Sequence, residues 1–81
     1  MAEAKEQNLQ KFGHLIRKQR REIGISQEEL GYRSHLDRTY VSGLERGKRN
    51  PSLTVLVQVA AGLGITVSAL LVGLEGDTES E

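Results

Sequence analysis

From Asn8 to Gly24 the apolar residues Leu9, Phe12, Leu15 and Ile16 recur at the three- and four-residue intervals that line one face of an α-helix. Gly24 stands where a helix-ending glycine belongs, and Arg17 to Arg21 place cations near the negative end of the helix dipole. The pattern predicts a first helix over about 7–22. A second start signal follows at once. Ser26 is a good N-cap, Glu29 lies at capping-box spacing, and Ile25 with Leu30 fits a hydrophobic staple. The second helix then runs from Gln27 to about Ser34. "SHLD" interrupts it, and Asp37 caps a third helix, Arg38 to about Arg46, which Gly47 ends. Two short helices across a tight turn make a helix-turn-helix candidate. Pro51 disfavours helix at Asn50, and Ser52 caps a fourth helix from Leu53 to about Leu63. Its apolar stripe is read as Leu53, Leu56, Val57, Ala60 and Leu63. Thr66 caps a fifth, about Val67 to Val72. No segment reads convincingly as a strand. The expected fold is all-α, five helices with the second and third forming the helix-turn-helix.

Composition narrows the possibilities. The chain has 81 residues, enough for one domain with a small core. It has no cysteine, which removes disulfides, thiolate zinc sites and thiol catalysis. The N-terminus "MAEAKEQN" is charged and does not read as a signal peptide. The apolar-rich stretch from Leu53 to Leu74 is too interrupted by Gln58, Gly62, Gly64, Thr66 and Ser68 to read as a membrane span. His14 and His35 have no evident third ligand, so no metal is expected. Ser26 and Ser52 read as caps, with no histidine base at useful spacing. These absences lead us to expect no enzyme, no cofactor and no small-molecule ligand, in a cytoplasmic protein.

Charge changes the picture more. The net charge is zero, yet residues 9–50 hold ten Lys or Arg against five Asp or Glu. The acidic residues gather elsewhere, above all in "EGDTESE" at 75–81, expected to be a disordered tail behind a domain over 1–74. A basic first half suggests a polyanionic partner, and a solvated helix face is the bland alternative.

The third helix favours the partner. Leu30, Leu36, Val41 and Leu44 can pack inward together, leaving Arg38, Thr39, Ser42 and Arg46 outside. Exposed residues at the start of a helix suit the DNA major groove. Arg38 carries a planar donor fork that matches guanine O6 and N7. Thr39 can offer a methyl to thymine or a hydroxyl to phosphate, and the hydroxyls of Tyr40 and Ser42 suit phosphate oxygens. Gln27 sits at a helix start, where the dipole favours phosphate. Lys48, Arg49 and Asn50 can grip the backbone, or one arginine can enter a minor groove. Gly43 would let the backbone approach a partner or a neighbouring helix closely.

"SQEELGYRSHLDRTYVSGLERGKRNPSLTVLVQVAAGLGIT" resembles the helix-turn-helix domain of the phage Cro and cI repressor family, over about residues 9–74. The marks are Arg17 and Arg20, "SQEEL", "VSGLERGKRNPS" and "LGIT". "LDRTYVSGLERG" is most similar to the controller proteins of restriction–modification systems. The resemblance implies a lambda repressor-like fold and a homodimer on a palindromic double-stranded DNA operator. It implies Arg38, Thr39 and Tyr40 at the DNA-facing helix start, Ser42 and Arg49 nearby, and Gln27 and Arg20 on phosphates. It further implies a structural ion pair between Arg20 and Glu45. RNA polymerase, recruited or blocked, would be a further partner. Two residues depart from the pattern: Gly31 replaces an alanine, and His35 replaces a glycine in the turn. Leu63, Ile65, Val67, Leu70, Leu71 and Leu74 exceed what so small a core needs, and are expected to be shared between intramolecular packing and a dimer seam. Other settings for the same chemistry are a phage or toxin–antitoxin operon repressor; a protein-interaction adaptor is the alternative outside it.

Overall fold

In the computed structural model, residues 2–75 are described, with side chains from Glu6 onward. The five helices are α1 (Ala2–Glu22), α2 (Gln27–Ser34), α3 (Arg38–Glu45), α4 (Leu53–Leu63) and α5 (Val67–Leu70). No strand occurs among the described residues. α1 starts five residues before the expected 7, because Ala, Glu, Lys and Gln sustain a helix without an apolar stripe. α5 ends two residues short of Val72, in a turn where Gly73 takes a φ of 97°. The expected acidic tail, beyond Glu75, lies outside the described residues.

Each start signal has its physical counterpart. Ser26, Ser52 and Thr66 accept the backbone N–H of Glu29, Val55 and Ala69 at 3.0, 3.2 and 3.0 Å. The reciprocal half of the expected capping box does not form: the Glu29 carboxylate turns along the helix instead and accepts from Arg33 Nε at 2.9 Å.

The core draws on every helix: Phe12 and Ile16 from α1, Leu30 from α2, Val41 and Leu44 from α3, Val59, Ala60 and Leu63 from α4, and Leu70 from α5. The α4 stripe needs correction. Leu53 is 73% exposed and Val57 52%, whereas Val59 is fully buried. At roughly 100° per residue, the arc through Leu56, Val59, Ala60 and Leu63 leaves Val57 outside it. Leu53 is the first residue of the helix, beside its Ser52 cap.

The turn between α2 and α3 explains both departures from the family pattern. His35 adopts the left-handed conformation (φ 59°), and the Leu36 N–H closes onto Gly31 O at 2.8 Å. The chain passes so close that a Cβ on residue 31 would lie 2.6 Å from Leu36 O. Glycine at 31 therefore fits a tight turn and does more than weaken α2. α1 and α3 approach as closely: a Cβ on Gly13 would lie 2.5 Å from Glu45 O and 2.6 Å from Leu44 O. That contact sets the height of α3 on the domain.

Candidate nucleic-acid interface

α3 is divided along its length. Val41 and Leu44 are 0 and 1% exposed and anchor its inner side. Arg38, Thr39 and Arg46 are exposed, and Ser42 is half-buried between them. Tyr40 packs partly against the core. Asp37 caps the helix: its Oδ2 accepts the Thr39 backbone N–H at 3.1 Å and also the Thr39 hydroxyl. The Thr39 hydroxyl bond and then the backbone bond hold the Asp37 carboxyl below its ordinary pKa.

The loop after α3 folds back on it. Lys48 N–H donates to Gly43 O at 2.9 Å. The Arg49 side chain runs across Gly43, where a Cβ would lie 2.9 Å from Arg49 Cγ. Its guanidinium carbon then sits 5.4 Å from the centroid of the Tyr40 ring, in cation–π range. The close approach that Gly43 permits is thus to this arginine of the following loop. Lys48, Arg49 and Asn50 are all exposed.

Behind the exposed face lies a buried clamp. Arg20 is 9% and Glu45 7% exposed. Arg20 Nε donates to Glu45 Oε2 at 2.6 Å and Nη2 to Oε1 at 3.0 Å, a bidentate fork, while Nη1 donates to Ile25 O at 2.9 Å. Gln27 Nε2 adds a third bond to Glu45 Oε1 at 3.1 Å. Burial by itself would raise the Glu45 carboxyl, but the bonds from Arg20 and Gln27 outweigh it and the net shift is downward. The bond to Glu45 raises Arg20 against its desolvation. One carboxylate on α3 therefore ties together α1, the start of α2 and the Ile25 turn. Of the expected phosphate contacts, Arg20 has three of its five N–H groups occupied internally, and Gln27 has one amide hydrogen occupied.

The structure brings Arg38, Thr39, Ser42, Lys48, Arg49 and Asn50 onto the exposed side of α3 and its following loop, with Tyr40 beneath Arg49. Sequence reasoning did not foresee the Gln27–Glu45 bond. No local pattern links residues 18 positions apart on different helices. It also passed over Gly13, whose only sequence signal is a glycine inside an otherwise regular helical pattern.

The expected dimer residues divide. Leu63 and Leu70, 5 and 0% exposed, lie within the protomer's own core and take the intramolecular share of the expected packing. Ile65, Val67, Leu71 and Leu74 are half-buried at the edge of that core. The large apolar side chains that stand clear are Ile23, Tyr32, Leu53, Val57 and Val72. Among the described residues no group of three or more His, Cys, Asp or Glu is placed to hold a metal ion. No helix among them is long and apolar enough to cross a membrane.

Known proteins share this fold. The helix-turn-helix family model matches residues 16–70. The control protein C.MunI of a Mycoplasma species is 47% identical over 66 residues, covering 80% of this chain and 89% of its own. The crystal structure of the restriction–modification controller protein C.AhdI from Aeromonas hydrophila superposes with a TM-score of 0.75 at 47% identity, over 76% of this chain and 94% of that one. The controller protein C.Esp1396I, solved as a tetramer in complex with its natural 35 base-pair operator, gives a TM-score of 0.78 at 38% identity, over 86% and 92%.

Proposed function

The chain belongs to the helix-turn-helix family, and from that premise we propose that it is a sequence-specific DNA-binding transcription regulator. It works as a homodimer on a pseudo-palindromic operator, in the cytoplasm, as the controller protein of a restriction–modification operon. The observation that carries this reading is the divided α3: Val41 and Leu44 anchor it, the Arg20–Glu45 clamp fixes its tilt, and Arg38 and Thr39 stand exposed at its capped start.

The mechanism follows from the donors. α3 enters the major groove by its N-terminal end. Arg38 places its fork on a guanine, and Thr39 reads beside it. Phosphates on either side fix the register through Gln27, Tyr40, Ser42, Lys48 and Asn50, with Arg20 limited to its remaining N–H groups. Arg49, held over Tyr40, adds a cation beside the groove. These cations make affinity fall steeply with salt.

Residues 1–74 act as one domain that both reads and dimerises. The seam uses Ile65, Val67, Leu71 and Leu74 with the exposed Leu53, Val57 and Val72. Two copies then set two copies of α3 roughly 34 Å apart, one turn of DNA. An occupied promoter recruits or blocks RNA polymerase.

Titrating the chain against DNA fragments that carry its own promoter, across a range of salt, tests the reading. Discrete complexes that survive excess competitor DNA are expected. Binding without sequence preference at every salt concentration refutes it. Sedimentation tests the seam: a dimer is expected, with Val57→Glu and Val72→Glu together yielding a folded monomer. A wild-type monomer at high micromolar concentration refutes the seam.

A further inference from the structure

One oxygen of Asp37 accepts two hydrogen bonds from the same residue. Oδ2 takes the Thr39 backbone N–H at 3.1 Å and the Thr39 hydroxyl. The first bond is ordinary helix capping. The second has a chemical consequence. An ionised carboxylate only accepts hydrogen bonds, so within this pair the hydroxyl must be the donor. A threonine hydroxyl has one proton and two lone pairs. With its proton committed to Asp37, Thr39 presents only lone pairs and its methyl group to the exposed side of α3.

This removes one of the two roles open to Thr39 in the sequence. Phosphate oxygens accept and do not donate, so a threonine in this state cannot hydrogen-bond a phosphate. It can accept from a donor, and the donors in the major groove are the exocyclic amines, N6 of adenine and N4 of cytosine. Its methyl remains free for apolar contact with a neighbouring thymine. Ser42, one turn further along, is opposite. Arg46 Nε donates into Ser42 Oγ at 3.3 Å, so the serine keeps its own proton to give to a phosphate. Two hydroxyls on one helix thus carry opposite hydrogen-bond polarity, each set by a charged neighbour.

We propose that Asp37 fixes Thr39 as a hydrogen-bond acceptor, so that Thr39 reads an exocyclic amine on one base pair of each half-site and Asp37 is a positioning residue for specificity that need not touch DNA. The proposal rests on the DNA-binding reading above and adds to it the polarity of one contact. A purely structural cap behaves differently: its loss weakens binding to every sequence alike.

The test selects binding sites from random duplexes with the wild type, Thr39→Val and Asp37→Ser. Valine keeps the shape of threonine without the hydroxyl. Serine keeps an N-cap acceptor for α3 but no longer forces the threonine proton inward. Circular dichroism checks that both variants fold. The wild type is expected to prefer one base pair over the other three at one position per half-site, and both variants to lose that preference about tenfold while keeping the others. Base analogues then identify the donor. Replacing the selected adenine by purine, or the selected cytosine by 2-pyrimidinone, removes only the amine. That change is expected to weaken wild-type binding about tenfold and leave Thr39→Val unaffected. If Asp37→Ser weakens all sites equally, if Thr39→Val retains every preference, or if the amine-free operators bind the wild type normally, the polarity proposal is overturned. A wild type that selects no sequence at all refutes the DNA-binding reading instead.

Discussion

Removing the Glu45 carboxylate probes the clamp that holds the reading helix. Glu45→Ala leaves the Arg20 Nε and Nη2 groups and the Gln27 amide without their acceptor, where the Arg20 side chain is only 11% exposed. Stranding one partner of a buried ion pair costs about 3–5 kcal/mol. Arg20 keeps its bond to Ile25 O and some solvent contact, which points to the lower end, about 3 kcal/mol. A domain of this size has roughly 4–11 kcal/mol of stability in total. The loss therefore removes a large share, and lowers Tm by roughly 12–24 °C. Thermal and urea unfolding followed by circular dichroism measure it. The double variant Arg20→Met, Glu45→Met strands no charge and is expected to recover most of the loss. The pH dependence has a definite sign. The folded-state pKa of Glu45 is lowered, so its contribution is complete above the unfolded value and fades as pH falls through the folded one. Wild-type stability should thus decline below about pH 4.3, and the double variant should lack that part of the decline. A Glu45→Ala protein within about 1 kcal/mol of wild type would refute the reasoning, because a buried pair broken on one side cannot be so cheap. So would a double variant as unstable as the single one.

Three further outcomes are expected. Gly13→Ala, which on an open helix gains about 0.5–1 kcal/mol, should here lose about 1–3 kcal/mol, because the added carbon meets backbone of α3; urea midpoints decide the sign. His35→Gly should stabilise by about 0.5–1 kcal/mol, because relief of the left-handed conformation, about 1–2 kcal/mol, exceeds the added freedom of glycine in the unfolded chain, about 0.4–1 kcal/mol; a rise in Tm reads it. Arg49→Ala should weaken binding on all DNA sequences alike and reduce the salt slope by about 1 in fluorescence anisotropy titrations; a loss confined to one base pair would move Arg49 from phosphate to base.

Local chemistry made the element order legible. Ser26, Asp37, Ser52 and Thr66 satisfy N–H groups one turn ahead of themselves, so each start signal is complete within four residues and needs no tertiary partner. The inner side of α3 was legible for the same reason: Val41 and Leu44 sit at helical spacing beside the buried Leu30. The family motif made the Arg20–Glu45 pair readable where composition alone did not. Tertiary packing decided the rest. The burial of Val59 in place of Val57 depends on the direction from which α2 approaches α4, which periodicity on one helix cannot give. Leu63 and Leu70 read as surplus until the core closed over them. Gln27, Arg49 and Gly13 each acquire their role from a residue on another element: Glu45, Tyr40, and the carbonyls of Leu44 and Glu45. A sequence fixes such contacts only through the whole fold, because the distances that create them are set by how the helices meet and not by their spacing along the chain.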